Sequence, residues 1–158
     1  MARAPRPPRW AQRLFSAADL EAIAGAVDVA ERRTAAEIRV HLERRVPGRS
    51  AAADALPRAR DVFVALKMHE TALHAGVLIY LAVDDHKLAI VGDEAVHARV
   101  DPGYWEAIRD RMVERLRGGA ARDAVVEAVQ DVGAVLAREF PRRRDDVDEL
   151  PDDVSLGR

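Results

Sequence analysis

Glu37, Glu70, Asp93 and Glu94 are carboxylates that stand next to breaks between apolar segments of this chain, and His69, His74 and His97 accompany them. Several oxygens gathered at one point suit a hard cation such as Ca²⁺ or Mg²⁺. Asp93 is the sharpest candidate. Gly92 before it permits close backbone approach, and the helical pattern opening at Glu94 begins with amides that lack intrahelical partners. Asp93, Glu37 and Glu94 are therefore the expected metal ligands. Asp is also a preferred N-cap, so Asp93 has a second, architectural use that is compatible with the first.

Other chemistries are poorly supplied. His69 and His74 lack a compact ligand spacing such as H-E-x-x-H, which argues against zinc. There is no cysteine, hence no disulfide, thiolate ligand or thiol nucleophile. The chain has no G-x-S-x-G elbow, phosphate loop or dinucleotide fingerprint. Ser16, Ser50 and Ser155 fall in a cap, a loop and a tail. Hydrolysis would thus rest on a carboxylate or on a metal-activated water at Asp93. His41, between Arg39 and Glu43 on a polar face, reads as a surface histidine paired with Glu43. Asp84-Asp85-His86 reads as a tight reversal, and Trp105 and Met112 read as core.

The elements that position these residues follow from hydrophobic period. Ser16 caps a helix over about 17–33 whose buried side is Leu20, Ile23, Val27 and Ala30. Glu37–Glu43 alternates and predicts a half-buried strand. Pro47, Gly48 and Ser50 mark 46–53 as an exposed loop, and Asp54 caps a second helix running to about Lys67. Val77–Val83 is continuously apolar and β-rich, which predicts a strand covered on both faces. A turn at 84–86 leads to a third strand, Leu88–Val91, and then to a short helix over 94–99. Pro102 opens a helix with Trp105, Ile108, Met112 and Leu116 on its core side, ended by Gly118-Gly119. Val125, Val129, Val132, Leu136 and Phe140 mark the last helix, which stops at Pro141. The expected architecture is an α/β/α sandwich of three layers: a small mixed sheet of at least three strands, one parallel crossover, one antiparallel hairpin and four main helices.

Strand direction decides which loops meet. With strands one and two parallel and strand three reversed, Thr34 and Glu37, the 69–76 connector and Gly92-Asp93-Glu94 share one end. Arg44, Arg45 and the 84–86 turn share the other, where α/β sheets usually bind ligands.

At 158 residues and a net charge of −2 the chain fits one domain, with no field that favours nucleic acid. Residues 1–15 carry four arginines and no acid and are expected to be a disordered leader. Residues 142–158, blocky in charge, are expected to be a disordered tail around a folded unit at 16–141. No run is long and apolar enough to span a bilayer, and the first residues lack a signal-peptide core, so the expected address is cytoplasmic.

Against that background L-F-S-A-A-D-L, R-T-A-A-E-I-R-V-H-L-E and the long run G-V-L-I-Y-L-A-V-D-D-H-K-L-A-I-V-G-D-E-A-V-H, with Trp105 and E-F-P, resemble the TPM domain in order and spacing from Leu14 to Pro141. The resemblance implies an α/β sandwich, divalent-cation binding and, from one branch, acid phosphatase activity. It places the chain with short bacterial forms found beside membrane-tethered relatives. Ala36 and Ala95 stand where relatives often have glycine, and Ala120-Ala121 where they often have Asp-Phe. The leading expectation is an accessory or binding module with a protein partner, including a membrane-associated one, and a Ca²⁺ or Mg²⁺ site near Asp93. Its rival is a metal-assisted phosphomonoesterase using Asp93 and Glu37. A third reading is a membrane-surface adaptor working through the basic N-terminal arm.

Overall fold

In the computed structural model, residues 6–48, 54–142 and 154–157 are described. The continuous apolar run forms β2 (Gly76–Ala82), and every residue of it is buried. Beside it run β1 (Glu37–Glu43), parallel, and β3 (Lys87–Gly92), antiparallel. This is the predicted crossover and hairpin, and with β4 (Ser155–Leu156) the sheet order is β3-β2-β1-β4.

Helices cover both faces, which is why β2 is apolar but for the Tyr80 hydroxyl. Along β2 the side chains alternate between two clusters. Val77, Ile79 and Leu81 join the larger one beneath α2 (Ala17–Glu31), α5 (Pro102–Arg117) and α6 (Ala121–Glu139). Leu78, Tyr80 and Ala82 join the smaller one beneath α3 (Leu56–Ala65). Ser16 caps α2 through a reciprocal pair in which the Asp19 N–H donates to Ser16 Oγ and the Ser16 N–H donates to the Asp19 carboxylate. Asp54 supports the start of α3 from one residue further out than expected, accepting from the Leu56 N–H at 3.1 Å.

Three expectations are corrected. The 1–15 leader is not wholly disordered: Arg9–Gln12 forms α1, Ala11 is completely buried, and Phe15 is completely buried in the larger cluster. A single helical turn is too short to show a period, so composition dominates a reading of that segment. The 142–158 tail is likewise not all outside the fold. Ser155–Leu156 forms β4, parallel to β1, with Ser155 opposite His41 and Leu156 opposite Leu42. Residues 1–5 and 143–153 lie outside the described residues. In the predicted loop Pro47 and Gly48 are exposed as expected, but Val46 is buried, and 49–53 fall outside the description.

The third correction concerns β1 itself. It was expected to be half-buried, yet Glu37, His41 and Glu43 are buried as fully as the apolar residues between them. At Glu43 the cover comes from Arg58, and at His41 from Ser155 of the β4 strand.

Replacing Phe15 by alanine should therefore destabilise the fold by about 3 kcal/mol, the range of a large buried aromatic. Urea denaturation measures it; a dispensable leader would leave the midpoint unmoved.

Candidate functional site

The rim predicted from topology exists. The Asp93 N–H donates to the Gly76 carbonyl at 2.9 Å, the Ala95 N–H to the His74 carbonyl at 3.1 Å, and the Glu37 N–H to the Ala75 carbonyl at 3.3 Å. These bonds bring the start of β1, the connector and the end of β3 to one end of the sheet. Asp93 is the N-cap of α4 (Glu94–Arg99): one carboxylate oxygen accepts from the Glu94 N–H at 2.8 Å. Only 8% of Asp93 is exposed, and its Oδ2 is buried with no hydrogen-bond partner. Gly92 serves α4 rather than a ligand, since a Cβ there would lie 2.8 Å from Val96 Cγ1.

The three expected ligands share this end without converging. Glu37 is buried, but β2 lies between it and Asp93, which separates the two backbones by about 10 Å. Glu94 is exposed on α4, as are His69, His74 and His97 on their loops and helix. Among the described residues no three His, Asp or Glu side chains lie close enough together to hold a metal ion. Thr34, expected at the same rim, does structural work. Its hydroxyl lies 2.6 Å from the Phe140 carbonyl oxygen and accepts from the Ala36 N–H, which ties the end of α6 to the entry of β1.

The opposite end holds the basic turn cluster. Asp84 meets Arg13 and Arg44 at 3.1 Å each and Arg45 at 3.7 Å. Hydrogen bonding from Arg44, then the charges of the other arginines, holds its carboxyl below the usual range. Asp85 accepts from the Val46 N–H at 2.7 Å, and His86 occupies the left-handed region at φ 52°, so this segment is turn chemistry as expected. Arg13, read as part of a basic arm, is held by Asp84.

Where β1 finishes, toward this same end, lies a constellation that sequence reasoning missed. Glu43, 4% exposed, accepts from Arg58 Nε at 3.0 Å and from a second Arg58 nitrogen at 2.6 Å, and from the Tyr80 hydroxyl at 2.8 Å. His41, 7% exposed, stacks on Tyr80 with ring centres 6.1 Å apart, and its Nδ1 shares a 2.9 Å hydrogen bond with Ser155 Oγ. The surface histidine expected at 41 is thus corrected to a buried one, and Glu43's hydrogen-bond partners are Arg58 and Tyr80. Ser155 could not be placed there from sequence, being 114 residues away. The one available signal was the polar side of β1, four ionisable residues at period two, which read equally well as a wet face.

Burial sets the protonation states. It pushes His41 below its ordinary value of 6.5, with Glu43 opposing. It pushes the Glu43 carboxyl up, but hydrogen bonds from Arg58 and Tyr80 outweigh it and hold Glu43 below 4.5. It also raises the Tyr80 phenol, with help from Glu43. At neutral pH the cluster is therefore a neutral imidazole, a neutral phenol and one guanidinium–carboxylate pair. The cluster can donate, accept and stack, which is recognition chemistry.

A family model described as the TPM domain matches residues 10–135. No curated protein matches the chain significantly. Among solved structures, the NMR structure of the BA42 protein from the psychrophilic bacterium Bizionia argentinensis is similar at a TM-score of 0.81 and 38% identity, covering 90% of this chain and 95% of that one. The N-terminal domain of a protein from P. gingivalis, also solved by NMR, reaches a TM-score of 0.60 at 20% identity over 83% of each chain, a likeness of fold.

Two outcomes follow for the buried cluster. Arg58→Met should cost about 3 kcal/mol in denaturant unfolding, because it strands a buried carboxylate. Acidification should destabilise the native state in two steps. Below about pH 6.5 the unfolded chain protonates His41 while the folded chain resists, and below about pH 4.5 the same holds for Glu43. His41→Gln should flatten the first step alone, as read from unfolding midpoints between pH 7 and 5.

Proposed function

The chain belongs to the TPM domain family, and on that premise we propose that it is a binding module whose rim at Asp93 takes a divalent cation, Ca²⁺ or Mg²⁺. The observation that carries this reading is the Asp93 Oδ2 atom, buried and without a hydrogen-bond partner. A buried oxygen left so is costly, and a cation would offset that cost. The connector beside it brings backbone carbonyls to the same end, which suit a hard ion, while Glu37 and Glu94 stand farther off. Because the three carboxylates do not converge, waters would complete the coordination shell, as Mg²⁺ in particular prefers. The N-cap role of Asp93 leaves Oδ2 unused, so cap and ligand are compatible on one side chain.

The phosphomonoesterase reading needs the same cation plus a water activated beside a phosphate. The Thr34 hydroxyl at this rim is taken up by main-chain carbonyls and His69, His74 and His97 are exposed, and a binding role asks less of the geometry. For the described residues, no helix is long and apolar enough to cross a membrane.

Titration with Ca²⁺ and Mg²⁺, followed by amide chemical shifts, should move Gly92–Ala95 and the 71–76 connector. Asp93→Asn should weaken the response at least about tenfold, while Arg58→Met should leave it unchanged. No shift with either ion would refute the cation site. Turnover of p-nitrophenyl phosphate that vanishes with EDTA and with Asp93→Asn would replace the binding reading by the hydrolytic one.

A further inference from the structure

The edge of β1 away from β2 is an unusual piece of backbone. At its start the Ile38 N–H, which β2 does not use, is answered by the buried Glu31 carboxylate at 2.9 Å. At its end the edge is answered by β4: Ser155 pairs with His41, Leu156 with Leu42, and the Gly157 N–H donates to the Leu42 carbonyl at 2.7 Å. The β4 strand is only two residues long, too short to be a stable sheet component by backbone pairing alone. What holds it is a fit to the side chains beneath. Ser155 Oγ meets His41 Nδ1. Gly157 lies so close to the floor that a Cβ would be 2.9 Å from Glu43 Cγ and 3.1 Å from His41 Nε2. Val154 packs against the larger apolar cluster, while Leu156 is 39% exposed and weakly constrained.

We propose that this edge is a peptide-docking slot that takes an extended segment of pattern apolar-Ser-x-Gly by strand addition, and that the chain's own Val154–Gly157 fills it in cis. Main-chain bonds to β1 supply affinity, and the floor supplies the reading of sequence: His41 for the hydroxyl, the packed Glu43 and His41 for the absence of a side chain. The partner that fits is a protein presenting such a strand, which displaces the internal one. This site is separate from the Asp93 rim and does not depend on a cation there.

The magnitude of competition can be bounded. A connection the length of residues 143–153 gives an effective concentration of order 1 mM. If the internal strand stays docked by a factor of about ten, a free peptide of the same sequence should bind an open slot with a Kd of about 0.1 mM, and a closed one about tenfold more weakly.

The test uses the full chain, its Gly157→Val variant and a fluorescently labelled peptide D-D-V-S-L-G-R, read by anisotropy. The variant's internal strand cannot seat, so the peptide should bind it about tenfold more tightly than it binds the parent. A peptide with valine for glycine should bind neither. Gly157→Ala, which adds only the Cβ, should give an intermediate gain and keeps the test decisive should the valine variant not fold. Equal affinity for parent and both variants, no binding up to millimolar peptide, or equal binding of the valine peptide would each overturn the slot. A parent dimer that Gly157→Val abolishes would assign the slot to a second copy and overturn its assignment to a separate partner.

Discussion

The register of β1 against β2 is the constraint on which the rest depends. Glu37 stands opposite Gly76 and Glu43 opposite Ala82, with Ile38, Val40 and Leu42 between. That register sends the three apolar side chains into the cluster under α2, α5 and α6 and sends Glu37, Arg39, His41 and Glu43 to the α3 side. A slip of one residue would exchange the two sets and bury four ionisable groups in an apolar core, so the alternative is strongly excluded. The smallest residues of β2 stand at its two ends, and at Gly76 a Cβ would lie 3.1 Å from the Met68 carbonyl oxygen.

Placing ionisable groups on a covered face has a cost, and the fold answers it group by group. Glu43 is answered by the fork of Arg58 and by Tyr80. His41 is answered by losing its charge and by Ser155. A buried ion pair is seldom a net source of stability compared with apolar residues of the same size. The presence of this one is better understood through the geometry it imposes: it fixes Glu43 and His41 as a rigid floor on which Gly157 rests. At the other end of β1, Glu31 closes the free edge from α2, so the edge is open to strand pairing only over its last residues.

How much of this was legible in the sequence depends on the range of the interaction. Val77–Val83, the alternation at 37–43 and the helix stripes are local patterns, and each set an element to within a residue or two. Parallel and antiparallel order followed from connection length, and with it the meeting of Glu37, the connector and Asp93 at one end. Segments whose fold comes from docking were not legible. Phe15 stands with Trp10 in an arginine- and proline-rich stretch, and Ser155–Leu156 follows a run of acids. Neither carries a period, and both are ordered by surfaces far away in sequence. The reading of His41 failed for the same reason. Alternation reports which residues face the other way, while what lies over that face is decided by Arg58 and by the end of the chain.

The path of the chain after α6 explains how one short strand can serve both as part of the fold and as a replaceable one. Pro141 bridges to Thr34, and Arg142 bonds the carbonyls of Glu31 and Arg33, so the exit of α6 is clamped at the beginning of β1. Ser155 re-enters opposite His41. Along the strand that interval is seven residues, roughly 23 Å. The sequence from Arg142 to Val154 reaches up to about 40 Å when extended. The connection is thus long enough to let the strand dock without strain and long enough to let it leave without disturbing Thr34 or α6. Stability of the body is secured at one end of β1 and occupancy of the edge is decided at the other, so exchange at the slot requires no unfolding of the domain.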